Sequence, residues 1–126
     1  MFRLTPDADV GGTSRVDSVV LPPAFLVERF GPPGRGSLDH KVSGCYRFTG
    51  PDGAVFTVYD WKETALYLGD NSGAPTPAEF WADPHPRELN VGGHGEDNDD
   101  GLNRPATAFR EWLLELYRGY GSRNAN

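Results

Sequence analysis

Apolar and polar positions alternate most cleanly between Lys41 and Lys62, and the turn inside that stretch fixes how they pair. Gly50-Pro51-Asp52-Gly53 suits a type I turn with proline at its second position, followed by a glycine in the left-handed region that makes a bulge. That loop pairs Gly50 with Ala54. Counting outward, Phe48 faces Phe56, Tyr46 faces Val58, Gly44 faces Asp60 and Val42 faces Lys62, so one side of the hairpin gathers apolar side chains in contact range and should meet the core. A slip of one residue would set Phe56 against Arg47 and Tyr46 against Thr57, mixing apolar with polar on both sides, which a half-buried sheet disfavours. The opposite side carries Ser43, Cys45, Arg47, Thr57, Tyr59 and Trp61.

Around this hairpin the pattern predicts short elements. Residues 1 to about 17 show no clean apolar period and are expected to include a flexible arm over 1–15, while Val16, Val19, Val20 and Leu21 fit a short edge strand. Pro22-Pro23 opens a helix whose Phe25, Leu26 and Phe30 share one face, and Gly31 closes it. Pro32 to His40 reads as a loop, and Glu63 to Leu68 fits neither period clearly. Thr76-Pro77-Ala78-Glu79 supplies a cap, a first-turn proline and a carboxylate at the third helical position, so a short helix should run through Phe80 and Trp81. Glu88 to Gly92 alternates as a strand. From Pro105 onward, Phe109, Trp112, Leu113, Leu116 and Tyr117 follow amphipathic spacing, the strongest periodic signal in the chain, ending near Gly119 before a frayed tail at 122–126. Leu114 lies off that apolar stripe and hints at a subunit contact. The expected fold is α+β: one domain over residues 1–126, a small antiparallel sheet of three or four strands built on the long hairpin, packed by the helix from Pro105 to Arg118 and one or two short helices.

Composition sharpens this picture. With 126 residues there is room for one core and no second domain, and 16 Gly and 11 Pro imply extensive loops. Cys45, alone of its kind, cannot form an internal disulfide and reads as a packing residue in a strand. No apolar run approaches a membrane span and no signal segment opens the chain, so the expected location is the cytoplasm, without membrane contact. A net charge of −6 with scattered cations argues against polynucleotide binding, although two or three local cations and a few amides suffice for one phosphodiester.

Catalytic signals are sparse. His40, His85 and His94 lack partners at metal-ligand spacing, and no nucleophile elbow, phosphate loop or dinucleotide fingerprint occurs. Glu96 to Gly101 fits the calcium-loop pattern poorly, because Thr107 stands where a bidentate glutamate belongs; a solvated acidic turn is the better reading. No metal, cofactor or catalytic residue is expected. The second face of the hairpin is more suggestive: Tyr59 and Trp61 project together, with Arg47 diagonal to Tyr59, and an aromatic shelf beside cations can stack a base and hold a phosphate. The competing reading covers that face with helices, making the aromatics core and Arg47 a snorkelling edge residue. Lys41 and Lys62, the only lysines, meet at the open end of the hairpin, where Asp60 and Glu63 can pair with them or a bound anion can. Gly92-Gly93 ends its strand with accessible amides, and Gly34-Arg35-Gly36 is similar.

The run Phe30-Gly-Pro-Pro33, the hairpin from Gly50 through Tyr59-Asp-Trp-Lys62, Pro77-Ala-Glu-Phe-Trp81 and Asn90-Val-Gly-Gly93 together resemble, in order and spacing, a group of small tailed-phage proteins similar to the phage anti-CBASS sponges. The resemblance covers about residues 19–118. It implies immune evasion in an infected bacterial host by a homo-oligomer that sequesters cyclic di- or oligonucleotide signals without cleaving them. It also implies Tyr59 and Trp61 near a base, Lys41, Lys62 and Arg35 near phosphates, and Thr64, Gly92 and Gly93 as polar or backbone contacts. His94 and the acidic insert after it depart from the pattern, and negative charge there would weaken anion binding. The rival expectations are a phage module that inhibits a host protein by direct binding and, third, a cyclic-nucleotide hydrolase.

Overall fold

In the computed structural model the hairpin closes as its turn chemistry dictates. Gly53 takes φ 84°, its N–H donates to the Gly50 carbonyl at 3.0 Å, and the Gly50 N–H donates to the Ala54 carbonyl at 2.8 Å. The strands on either side, Gly44–Thr49 and Val55–Tyr59, pair Phe48 with Phe56 and Tyr46 with Val58. The structure describes residues 1–95 and 103–123.

Numbered in chain order, the strands are β1 (Arg3–Leu4), β2 (Ser14–Leu21), β3 (Gly34–Arg35), β4 (Gly44–Thr49), β5 (Val55–Tyr59) and β6 (Arg87–Gly93). The helices are α1 (Pro23–Phe30), α2 (Ala65–Leu68), α3 (Pro77–Trp81) and α4 (Arg104–Arg123). The sheet runs β1-β4-β5-β6-β2, with β3 also on β4, and every pairing is antiparallel. This is the α+β fold expected, with more strands than the three or four foreseen. The additional ones, β1 and β3, have two residues each, too short to leave a period.

One face of the sheet is the core. Tyr46, Phe48, Phe56, Val58, Leu89, Val91, Val19 and Leu21 bury there against Phe25 and Leu26 of α1, Phe80 and Trp81 of α3, and Ala106, Phe109 and Leu113 of α4. Phe56 and Phe109 stack at 4.8 Å, with ring planes 8° apart. Phe25 joins α1 to α4 through Tyr117 and Tyr120, whose hydroxyl donates to Glu28. The capping box of α3 forms in full: Glu79 N–H donates to Thr76 Oγ1 at 3.1 Å and Thr76 N–H to Glu79 Oε1 at 3.0 Å. Leu114, expected to point away, is half-buried against the core, because α4 packs along a wider stripe than the strict period suggests.

The segment expected as a flexible arm is laid on the sheet instead. Phe2 packs edge-on against Phe56 and Phe109, Thr5 N–H donates to the Arg47 carbonyl at 2.7 Å, and Ser14 and Arg15 begin β2. Ring burial and main-chain pairing fix it, and neither appears as a sequence period. At the other end α4 passes Gly119 and continues through Arg123; residues 124–126 of the expected tail lie outside the described residues, as does the acidic stretch 96–100 with its calcium reading.

β2 is the outer strand of the sheet, and an open edge invites pairing with other chains. Here the middle of the edge is occupied by side chains. Ser18 N–H donates to Asp17 Oδ1 at 2.7 Å, the Ser18 carbonyl accepts from Arg110 Nε at 2.9 Å, and the register breaks between Arg15 and Asp17. The double variant Asp17→Ala, Arg110→Ala is therefore expected to keep its fold but to self-associate more than the unaltered protein at equal concentration. Light scattering over a dilution series reads this, and superimposable masses would refute the protective role.

Candidate functional site

At the open end of the hairpin the ladder stops at Tyr59, because Asp60 turns its carboxylate into the sheet. Asp60 is 1% exposed, and its Oδ1 accepts from Ser43 N–H at 2.9 Å and Gly44 N–H at 3.0 Å. Its Oδ2 accepts from Ser43 Oγ at 2.8 Å, which in turn accepts from Trp81 Nε1 at 3.1 Å. Asp60 is thus a structural acceptor and not the lysine partner it could have been. The chain then leaves the sheet: Lys62 takes φ 57° and donates its N–H to the Lys41 carbonyl at 2.6 Å, so Val42 and Lys62 do not form the facing pair the simple register suggests.

This exit carries Trp61 to the rim of the second face, where it is 46% exposed. The Lys41 ammonium stands 5.8 Å from its ring centre and the Lys62 ammonium 5.6 Å, with Lys62 also 5.5 Å from the Tyr67 ring. Lys41 pairs with Asp39 at 3.5 Å. The Asp39 carboxyl lies below its ordinary value, first through the Ser37 hydroxyl and then through the Lys41 backbone N–H.

Tyr59 lies half-buried on the same face. Burial raises its phenol above the ordinary value, and a hydrogen bond with Asn90 offsets part of that rise. A cleft of about 590 Å³ opens here, lined by Arg15, Tyr59, Trp61, Glu63, Glu88 and Asn90. A second depression, about 290 Å³, joins Tyr59 and Trp61 to Arg35, Thr57 and Gly92. Gly92 keeps this floor low: a Cβ there would stand 2.2 Å from Thr57 Oγ1 and 3.4 Å from the Tyr59 ring. Among the described residues neither depression is lined by a helix, so the reading that buried both aromatics beneath helices does not hold.

The other expected site residues divide. Arg35 is exposed on β3 and faces the second depression. Arg47 is engaged in structure, its Nη1 donating to the Ala8 carbonyl at 2.8 Å and fastening the N-terminal segment across this face. Thr64 is 1% exposed and offers no surface to a ligand, because its backbone caps α2 from within the fold. Gly93 points the opposite way from Gly92, a Cβ there meeting the Phe56 ring and Val16 on the core side. Arg15, Glu63, Glu88 and Asn90 were missed. Arg15 Nε donates to Asn90 Oδ1 at 3.0 Å across two strands far apart in the chain, and its Nη2 lies 3.9 Å from Glu88. The alternation of β6 was readable, and its polar positions 88 and 90 were the available signal.

Among the described residues no group of three or more His, Cys, Asp or Glu side chains gathers that could hold a metal, and no helix is long and apolar enough to cross a membrane. No protein-family model matches the chain, and no curated protein matches it. The resemblance to phage sponges therefore rests on the sequence runs quoted above.

Two outcomes follow. Asp60→Ala leaves the Ser43 and Gly44 amides and the Ser43 hydroxyl without their acceptor. At about 1.5–3 kcal/mol for each bond to a charged group, a loss of at least about 3 kcal/mol is expected, with a smaller loss for Asp60→Asn, which keeps an acceptor. Urea unfolding reads both, and an alanine variant as stable as the unaltered protein would refute the role. For Cys45, burial pushes the thiol up to about 11. Since the thiolate is the nucleophile, alkylation of the folded protein should be negligible at neutral pH and rise only as pH approaches that value. The raised value also means that the unfolded thiol ionises first, so this group's contribution to stability is complete below the ordinary thiol value and is lost as pH rises toward about 11.

Proposed function

We propose that this protein captures a cyclic di- or oligonucleotide on the open face and sequesters it uncleaved, as a homo-oligomer in the cytoplasm of an infected bacterium, blunting an immune signal. The observation that carries this reading is Trp61: a half-exposed indole with two ammonium groups within 5.8 Å of its centre, beside Tyr59 and above the floor that Gly92 leaves low. Bases stack on exposed aromatic faces, and neighbouring ammonium groups attract the phosphates attached to them. Capture needs no acid, base or nucleophile. The one cysteine is held protonated, and Asp60 is consumed by backbone donors.

A second reading has its own support. Leu66, Tyr67 and Leu68 of α2 are exposed close to Trp61 in the chain, an apolar surface suited to a protein partner and to the host-inhibitor alternative.

Calorimetry with cyclic dinucleotides and trinucleotides separates the two. Micromolar or tighter binding is expected, with intact ligand recovered, and Trp61→Ala should cost about 1–3 kcal/mol, the usual contribution of one stacked base. Tight binding unaffected by Trp61→Ala would remove the shelf from the mechanism. Product formation would mean an enzyme, and failure to bind any member of the panel would leave the protein partner. Light scattering should show an oligomer.

A further inference from the structure

We infer that the base held on the Tyr59 and Trp61 shelf is guanine, read by the carboxylates of Glu63 and Glu88; this rests on the nucleotide-capture reading above. The larger cleft is within the usual size of a small-molecule site, and its lining is unusual for an anion pocket because it holds two carboxylates against one guanidinium. Arg15 is shared: its Nε is committed to Asn90 Oδ1 and its Nη2 stays 3.9 Å from Glu88. Glu63 is only half-buried and has no hydrogen-bond or ion-pair partner among the described residues.

The charges are sorted by place. Both lysine ammonium groups stand by the Trp61 ring, and neither lines the cleft that the carboxylates line. A nucleotide has the same polarity, anionic at the phosphate and neutral at the base. A carboxylate only accepts, so it needs a part of the ligand that donates. Of the four bases, guanine alone presents two adjacent donors on its pairing edge, N1–H and the N2 amine, matched to the two oxygens of one carboxylate. Adenine and cytosine set an acceptor beside their amine, and uracil sets carbonyls on both sides of its N–H; each would face the carboxylate with a lone pair. Asn90 Oδ1 already accepts from Arg15, which leaves discrimination to the glutamates.

The test is calorimetric titration of the unaltered protein and of Glu63→Gln and Glu88→Gln with GMP, IMP and AMP. IMP keeps N1–H but lacks the N2 amine. GMP is expected to bind about tenfold tighter than IMP or AMP, the scale of one lost bidentate contact. At least one glutamine variant should bring that ratio close to one. Removing a negative charge strengthens attraction for any nucleotide, so the ratio, not the affinity, is the readout. Equal binding of the three by the unaltered protein, or a preference unchanged in both variants, overturns the guanine assignment and leaves capture standing. If neither these mononucleotides nor any cyclic dinucleotide or trinucleotide of the panel binds, both readings fall.

Discussion

The Asp60 carboxylate governs the geometry of this molecule. A buried carboxylate is costly unless donors surround it, and here two backbone amides and a serine hydroxyl do so. Because those amides stand at the start of β4, Gly44 its first residue and Ser43 just before it, the carboxylate takes the place that a continuing ladder would fill, and the outgoing chain swings away from the sheet. Because the hydroxyl also accepts from Trp81, the same group ties the end of the hairpin to α3. The next residue is therefore presented at the rim, and Lys62 is drawn back against Lys41 by a backbone hydrogen bond. One charge in the interior sets the position of an indole on the surface.

The sheet is used asymmetrically. Helices α1, α3 and α4 pack on the face that the hairpin register assigns to Phe48 and Phe56, and the other face carries a strap of chain. The strap is held by Arg47, an arginine in mid-strand without an acidic partner among the described residues: its guanidinium donates to the Ala8 carbonyl. What remains uncovered is a strip from Arg15 through Tyr59 to Trp61, with the two lysines at the indole and Arg15, Glu63 and Glu88 lining the cleft beside it. A pocket for a bare anion would be uniformly positive. A strip lined by both signs suits a ligand that carries more than a bare anionic group.

Much of the fold was legible in the sequence because local chemistry decided it. The Pro-Asp-Gly turn specified a register, the Thr76 to Glu79 box specified a helix start, and the spacing from Phe109 to Tyr117 specified the packing helix. The site was legible only in part. Tyr59, Trp61 and the two lysines come from one hairpin, so counting along it brought them together. Arg15 and Asn90 meet across β2 and β6, a pairing that no local period encodes. Thr64 was placed at the site by resemblance and Gly93 by its accessible amide as well, whereas their orientation depends on a chain exit and a strand parity that only the folded backbone settles. The two-residue strands and the docked N-terminal segment are held by main-chain bonds and by Phe2, which carry no repeating signature.

The loops that carry the lysines are themselves strained. His40 and Lys62 both sit in the left-handed region, at φ 66° and 57°, which costs non-glycine residues on the order of 1–3 kcal/mol each. Such conformations persist where surrounding contacts over-determine them. Here these are the Ser37 to Val42 hydrogen bonds on one side and the Lys41 to Lys62 bond on the other. The result is two ammonium groups brought to one indole, with Asp39 pairing Lys41 and no ion pair for Lys62 among the described residues. An indole that faces water is at a disadvantage while it stays uncovered. On the capture reading proposed above, a flat ring laid on the indole would remove that exposure, and strain already borne by the folded chain would not have to be met again on binding.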